Sequence, residues 1–519
     1  MKKFNIFKVL IIVTLLTIVL SYFIPGTIMG YSGVEKGTII PVTFADAFVN
    51  GITAVNASLT VLSFVFAIAV FYAVLVKTDR YETLVENTAA AFDKSKAVFV
   101  VITIFALGAF SLFSGSILPM LVFVPFLIAV LRKLGFNKLT AIFATIGSMI
   151  IGFTGSMYTY YTNQYLSLTT KDNVTVKITL ALIGLVSMVA FILLFNKKPI
   201  NNGEVRKSTK KKMLPLYITL ILMFILTILG FVSWNGYFGF TGFDDFLNTM
   251  RDWKIAEVSV FDAILGTSLV SFGNWQLYNS AMLLMFISVI LGLIYRIKIN
   301  DFLETVGTGL KKACPYALIT VLAYLVLVNV YSSGIFYTMV IGLTNKTIDL
   351  FRSSISGILG SVFYADYGYA TQFTLNAIMS TKATEYQNIF AVTFQAIYSL
   401  FLLISPTSIL LLFGLNLTET RYFEWIKYII KYFLILLLID LLVIAIFMNG
   451  FSTSAIIFMI SILAIIVGIY VFYRVVKTAV KKGVVEAQKE IKNEEVKKET
   501  KEVKKTSTKK TSTKKTNKK

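Results

Sequence analysis

Apolar runs of about 20 residues, the length a helix needs to cross a bilayer, follow one another along most of this chain with only short polar breaks. The first covers Phe7 to Ile24. It has the composition of a secretion leader, but no small-residue cleavage site follows and more spans come after it, so an uncleaved first helix is expected. A second run extends from Ala54 to Val76. Two shorter ones, Ala97 to Phe113 and Ile117 to Leu131, flank Ser114-Gly115-Ser116, with Pro119 just beyond, and predict a re-entrant hairpin. A stretch from Leu139 through Gly147, Gly152 and Gly155 leads to an aromatic and amide cluster, Tyr158 to Tyr165, and then to a span over Val174 to Phe195. The second half opens with a span from Leu214 to Trp234 and a loop carrying Asp244, Asp245, Arg251 and Asp252, and spans resume near Ala281. Two more, Phe433 to Met448 and Ile456 to Phe472, close the apolar part.

Charge orients this pattern. Lys2 and Lys3 precede the first span, Lys77 and Arg80 follow the second, and a strongly basic linker, KKPINNGEVRKSTKKK, runs from Lys197 to Lys212. The positive-inside rule puts all three on the cytoplasmic face of a bacterial plasma membrane, with both termini cytoplasmic. From Arg474 onward there are 17 Lys/Arg against 6 Asp/Glu, half of the formal net charge of +22. That low-complexity segment buries too little apolar area to fold, so it is expected to be a disordered, orientation-setting tail with anionic lipid as its natural contact. The expected division is 1–196 for the first transmembrane half, 197–212 for the linker, 213–473 for the second half with two extra spans, and 474–519 for the tail.

With 56% hydrophobic and 15% charged residues in 519, the chain is excluded from the ordinary soluble class. Cys314 is the one cysteine and histidine is absent, which removes disulfide frameworks, CxxC sites, the commonest metal ligand and the commonest general base. No glycine-lysine phosphate loop occurs. Neither a metal nor a cofactor is expected, and no catalytic residue, beyond Na+ or H+ as a coupling ion. Two rival classes remain: an intramembrane lipid- or glycan-modifying enzyme working on the loop Trp234 to Val258, and a membrane scaffold acting through the basic tail.

Unpaired backbone at membrane depth survives only where protein or a water-filled cavity covers it, so broken segments nominate a site. The nominees are Ser114-Gly115-Ser116, the segment Tyr160 to Gln164 with Asn163 and Gln164, Ser332-Ser333-Gly334, Asp366 to Gln372, and Ser405-Pro406-Thr407-Ser408. Half-helix ends there offer free N–H groups to anions and carbonyls to cations. Asp366 is a carboxylate in an apolar, aromatic setting and a candidate for Na+, a proton or a substrate ammonium. Asp440, within LILLLIDLLVIAIF, is read as a packing residue of a late span, and Arg421, Glu424 and Lys427 as an ion-pair face. The halves share weak signals. Glu82-Thr83 matches Glu304-Thr305, FSLFSGSILPM from Phe110 matches NVYSSGIFYTM from Asn329, and TGSMYTYYTNQY from Thr154 matches LGSVFYADYGYATQF from Leu359. Matching irregular segments in two halves point to a transporter built from repeats.

Two passages carry a resemblance: LLISPTSILLLFGLNLTETRYFEWIKYIIK, Leu402 to Lys431, and Phe110 to Ser156. They resemble the late segment and the first-repeat hairpin of the YfcC-like family of the ion transporter superfamily, related to C4-dicarboxylate carriers, basic amino acid antiporters and p-aminobenzoyl-glutamate transporters. The resemblance, over about residues 5 to 450, implies two hairpins in inverted repeats, a site near the hairpin tips, and ion coupling or exchange. The chain departs from that pattern at Leu118-Pro119-Met120, Tyr158 to Tyr161, Ala396-Ile397 and Ile409. Its charge pattern also puts both hairpins on the cytoplasmic side.

The reading is an all-α, polytopic helical membrane transporter of about 10–12 membrane segments in two repeats with re-entrant hairpins. Its function is expected to be secondary active transport of a small charged organic solute, an amino acid such as arginine or ornithine or a C4-dicarboxylate. The expected partners are that substrate and the bilayer. A homodimer stays open, and nucleic acid is not expected.

Overall fold

The computed structural model describes residues 5–30, 33–157, 166–169, 171–195, 213–255, 257–344, 348–379, 387–468 and 471. They are predominantly helical: α1 Asn5–Ser21, α2 Phe44–Lys77, α3 Tyr81–Phe92, α4 Lys96–Ser114, α5 Val124–Lys133, α6 Lys138–Thr154, α7 Val174–Phe195, α8 Leu214–Phe231, α9 Leu277–Ile294, α10 Ile299–Ser332, α11 Ile335–Thr344, α12 Leu350–Phe363, α13 Tyr367–Met379, α14 Gln387–Phe401, α15 Ile409–Leu417, α16 Tyr422–Phe447 and α17 Thr453–Gly468. Among the described residues seven helical stretches are long and apolar enough to cross a membrane, and four apolar helices are shorter. The chain is a multi-pass helical membrane protein, and the linker 197–212 and the tail from 472 onward lie outside the described residues. The main body runs to Ile456, and the unit from Ile457 opens with the remainder of α17.

The two longest helices, α2 and α10, form the central antiparallel pair. A capping box starts α2, in which the Thr43 hydroxyl accepts from the Asp46 N–H and the Asp46 side chain accepts from the Thr43 N–H, so its end needs no tertiary partner. Gly309 of α10 sits against the Val70 backbone of α2, where a Cβ would come within 2.9 Å of the Val70 Cα. Further along, the Asn50 amide donates to Asn329 Oδ1 at 2.9 Å, a buried interhelical bond worth about 0.6 kcal/mol in such settings. In the first half, Gly152 of α6 packs on the Gly108 carbonyl of α4, and Gly155 packs on the Lys177 carbonyl of α7. Small residues at these crossings give the close backbone contact that holds helices together without a hydrophobic drive.

Several spans end elsewhere than the hydropathy alone suggests. The first hairpin arm is not short. Continuous helix reaches back to Tyr81, because a three-residue 3₁₀ turn, Asp93–Ser95, carries α3 into α4, and Lys96 pairs with Asp93 at 3.3 Å across it. The second arm follows expectation, with a 3₁₀ turn, Pro119–Phe123, leading into α5. The span expected from Phe433 begins at Tyr422, and Glu424 in its first turn pairs with Lys138 of α6 at 3.1 Å rather than only along its own face. The span expected to reach Trp234 stops at Phe231, and the one expected near Ala281 starts at Leu277, capped by Gln276.

The halves correspond in structure as well as in sequence. Glu82 lies in the first turn of α3 and Glu304 in the first turns of α10, and both paths end at a left-handed glycine, Gly115 (φ 65°) and Gly334 (φ 67°). Pro315, inside the continuous helix α10, stands at the same remove from Glu304 as Asp93 from Glu82. The Asp93–Ser95 turn has three residues, which is the difference in length between the two paths.

Candidate functional site

The second half contains two helix breaks, the later of which caps the earlier. At the end of α12 the carbonyls of Ser361 and Val362 have no continuing helix to bond them. Ser405 Oγ donates to the Ser361 carbonyl at 2.6 Å, and Thr407 Oγ1 lies 3.1 Å from that carbonyl and 2.9 Å from Val362 O. Both hydroxyls come from the Ser405-Pro406-Thr407-Ser408 turn between α14 and α15. Ser408 in turn caps α15, its hydroxyl accepting from the Leu411 N–H. The Trp425 indole N–H and the Tyr422 hydroxyl donate to the carbonyls of Leu403 and Ile404, which closes the turn from the other side. The hydroxyl donors of Ser405 and Thr407 are therefore used within the fold.

Between α12 and α13 the chain is extended at Tyr364 and bends through Ala365 and Asp366. Asp366 starts α13: its carbonyl accepts from the Ala370 N–H and its Oδ1 accepts from the Tyr369 N–H at 3.1 Å. Its Oδ2 lies 3.5 Å from the Tyr324 hydroxyl of α10, a long contact. Around it stands a continuous aromatic group. Tyr324 meets Tyr369 edge-on, Tyr369 stacks on Phe373, and Phe373 stacks on Tyr331 with ring centroids 4.6 Å apart. Tyr364, Phe336 and Tyr337 complete it. Tyr331 is the residue before Ser332, so the α10 break and the Asp366 break share one aromatic wall.

Buried polar atoms without a hydrogen-bond partner among the described residues occur on α12 to α14 as well as at Ser111, Ser280 and Asp440. They include Ser353 and Ser356 on α12, the Tyr364 hydroxyl, Thr371 and Thr374 on α13, and Thr393 and Gln395 Oε1 on α14. Each costs about 1–3 kcal/mol if left dry.

The sequence nominees divide on this geometry. Asp366 and Gln372 lie on the aromatic wall's helix. Ser332, Ser333 and Gly334 begin at its far side, with Gly334 held by the Thr27 N–H on its carbonyl, and Ser405, Thr407 and Ser408 brace the neighbouring turn. Ser114, Gly115 and Ser116 lie apart. Ser114 Oγ accepts from the Ser116 N–H and lies 3.0 Å from its carbonyl, and the strands of backbone beside it are closed by Met157 N–H on Leu112 O and the Tyr237 hydroxyl on Phe113 O. Asn163 and Gln164 lie outside the described residues.

No protein-family model and no curated protein matches the chain. Among solved structures it is similar to the Alcanivorax borkumensis YdaH transporter, at 12% identity and a TM-score of 0.40 over 87% of this chain and 99% of that one. It is also similar to Neisseria gonorrhoeae MtrF, described among antimetabolite efflux pumps, at 14% identity and a TM-score of 0.40 over 85% of this chain and 94% of that one. Both overlays are loose, below the level that fixes a shared fold.

Sequence reasoning missed the structural role of Gln395 and Ser399. The Gln395 amide donates to the carbonyls of Phe153 and Ser156, and Ser399 Oγ donates to Ile150 O, so α14 caps the end of α6 across the two halves. Their only sequence signal is polar character inside an apolar run. Asp440 is buried at 1% exposure, and neither carboxylate oxygen has a partner among the described residues.

Proposed function

We propose that this chain is a secondary transporter that exchanges small cationic organic solutes, with arginine and ornithine as the first candidates, and that Asp366 with its aromatic wall is the binding site. The observation that carries the reading is Asp366 itself, a partly buried carboxylate at the start of a broken helix, faced by Tyr324 and Tyr369. A guanidinium or ammonium suits that setting twice, through charge and through the ring faces, where a desolvated cation–π contact contributes up to about 2 kcal/mol. A dicarboxylate suits it less. The N-terminus of α13, the natural place for an anion, already carries the Asp366 carboxylate.

Breaks lined with unpartnered hydroxyls allow a solute to leave water without leaving its hydrogen bonds, and require no catalytic side chain. Na+ or H+ is the proposed coupling ion where exchange alone does not run. The test is counterflow in proteoliposomes preloaded with arginine, ornithine, succinate or fumarate, with and without a sodium gradient. Uptake of labelled arginine driven by arginine or ornithine, and not by succinate or fumarate, is the expected result. Uptake driven by the dicarboxylates alone overturns the cationic assignment.

A further inference from the structure

A cavity of about 250 Å³ lies among α2, α5, α10 and α15, and none of its lining residues belongs to the Asp366 site. Its walls follow from helix periodicity. On α2, Val65, Ala69, Tyr72 and Val76 recur every three or four residues, and on α10 Lys312 and Tyr316 continue the face that Gly309 presses against Val70. The Tyr72 hydroxyl is already committed, donating to Val122 O and accepting from the Phe126 N–H at the start of α5. Lys312 is the single charged residue of the lining. It has no ion pair among the described residues, and its side chain is exposed.

Basic residues stand at the ends of α2 and α5 beyond the lining. Lys133 at the end of α5 pairs with Glu86, Arg80 lies 4.7 Å over the Tyr295 ring, and Lys77 closes α2 directly after the lining residue Val76. An apolar slot whose lining carries one exposed cation without an ion pair among the described residues matches a molecule with a hydrocarbon chain and an anionic head. A small charged solute does not fit, because the walls other than Lys312 offer it no free polar group.

We propose that this cavity binds an anionic phospholipid, one acyl chain lying between Tyr72 and Phe413 and the phosphate on Lys312. The site couples lipid to the fold, since α5 is the returning arm of the first hairpin and α15 is the helix that follows the Ser405–Ser408 turn. A lipid seated there braces both elements.

The experiment is native mass spectrometry of the full chain released from nanodiscs of phosphatidylcholine doped with phosphatidylglycerol. Wild-type protein is expected to retain phosphatidylglycerol in preference to phosphatidylcholine. Lys312→Gln lowers that preference about fivefold, the contribution of one lysine to anionic lipid, while Lys311→Gln, one position round the helix and outside the lining, leaves it unchanged. Ala69→Phe fills the slot and removes the retained lipid whatever its head. Equal loss in the Lys311 and Lys312 variants, or full retention in Ala69→Phe, overturns the proposal. Displacement of the phospholipid by an equal amount of oleate overturns the phospholipid as occupant and puts a free fatty acid in its place.

Discussion

The two hairpin breaks have nearly the same local sequence and different surroundings. Ser114-Gly115-Ser116 and Ser332-Ser333-Gly334 each end a helix with a left-handed glycine, at φ 65° and 67°. Around the first, hydrogen bonds close back on the chain itself, Leu112 packs with Met157 and Ala181 in an apolar cluster, and one hydroxyl, Ser111 Oγ, is buried without a partner among the described residues. Around the second, Tyr331 opens an aromatic wall that runs through Phe373 to Asp366, and buried hydroxyls on α12 and α13 stand without partners. On the proposed reading, a helix break alone does not make a binding site. What sets the second apart on that reading is a carboxylate on an aromatic wall with several unpartnered hydroxyls near it, where the first has one.

The comparison breaks most sharply at Asp366. Asp366→Asn keeps size and the α13 cap but removes the charge, and it is expected to weaken arginine counterflow at least thirtyfold, since losing one side of a buried charge contact costs about 2–5 kcal/mol. Ser114→Ala, in the first break, is expected to stay within about twofold of wild type, because only a local bond is lost. Equal effects of the two changes would erase the distinction.

Gly334→Ala is the next largest effect, and it acts on stability. A Cβ there meets the Thr27 carbonyl at 2.7 Å and its nitrogen at 2.8 Å, both backbone atoms, on top of about 1–2 kcal/mol of left-handed strain. Thermal unfolding of the purified protein should drop by several degrees. Phe373→Ala, which removes the ring linking Tyr331, Tyr364 and Tyr369, should raise the half-saturating arginine concentration about threefold to tenfold with little change in folding.

The smallest effect is on the polar turn before α7. Asp172 accepts from the Thr169 N–H and hydroxyl, which holds its carboxyl below the usual carboxylate range. A depressed carboxylate adds stability above its unfolded pKa and loses it as pH falls through the folded value. Asp172→Asn should therefore narrow the stability gap between wild type and variant only on the acid side, below about pH 4.

Much of the helical frame was legible because lipid leaves few alternatives: apolar length fixed α7 closely and the C-terminal ends of α2 and α16, while both of those helices start about three turns earlier than their apolar runs. The repeat was legible too, through Glu82 and Glu304 and the two glycine breaks. The ends were less so. A 3₁₀ turn at Asp93–Ser95 reads as a polar gap in sequence, yet it continues a helix, and the polar first turns of α16 look like a loop until Glu424 meets Lys138. At the candidate site Asp366 stood out by its cost. The aromatic wall did not, because Tyr and Phe in apolar helices are ordinary, and only folding brings Tyr324 and Tyr331 of α10 to Tyr369 and Phe373 of α13. Ser405 and Thr407 looked like ligands and are caps, a role that depends on where α12 ends.

The direct test of the central claim uses the single cysteine. With Cys314→Ser as background, a cysteine is placed in turn at Tyr337, on the aromatic wall, and at Ser116, in the first break, and thiol labelling is timed with and without arginine. Arginine should slow labelling at position 337 severalfold and leave position 116 unchanged. Protection at 116 alone, or at neither position in protein that still performs counterflow, would contradict the assignment of the site to the second break.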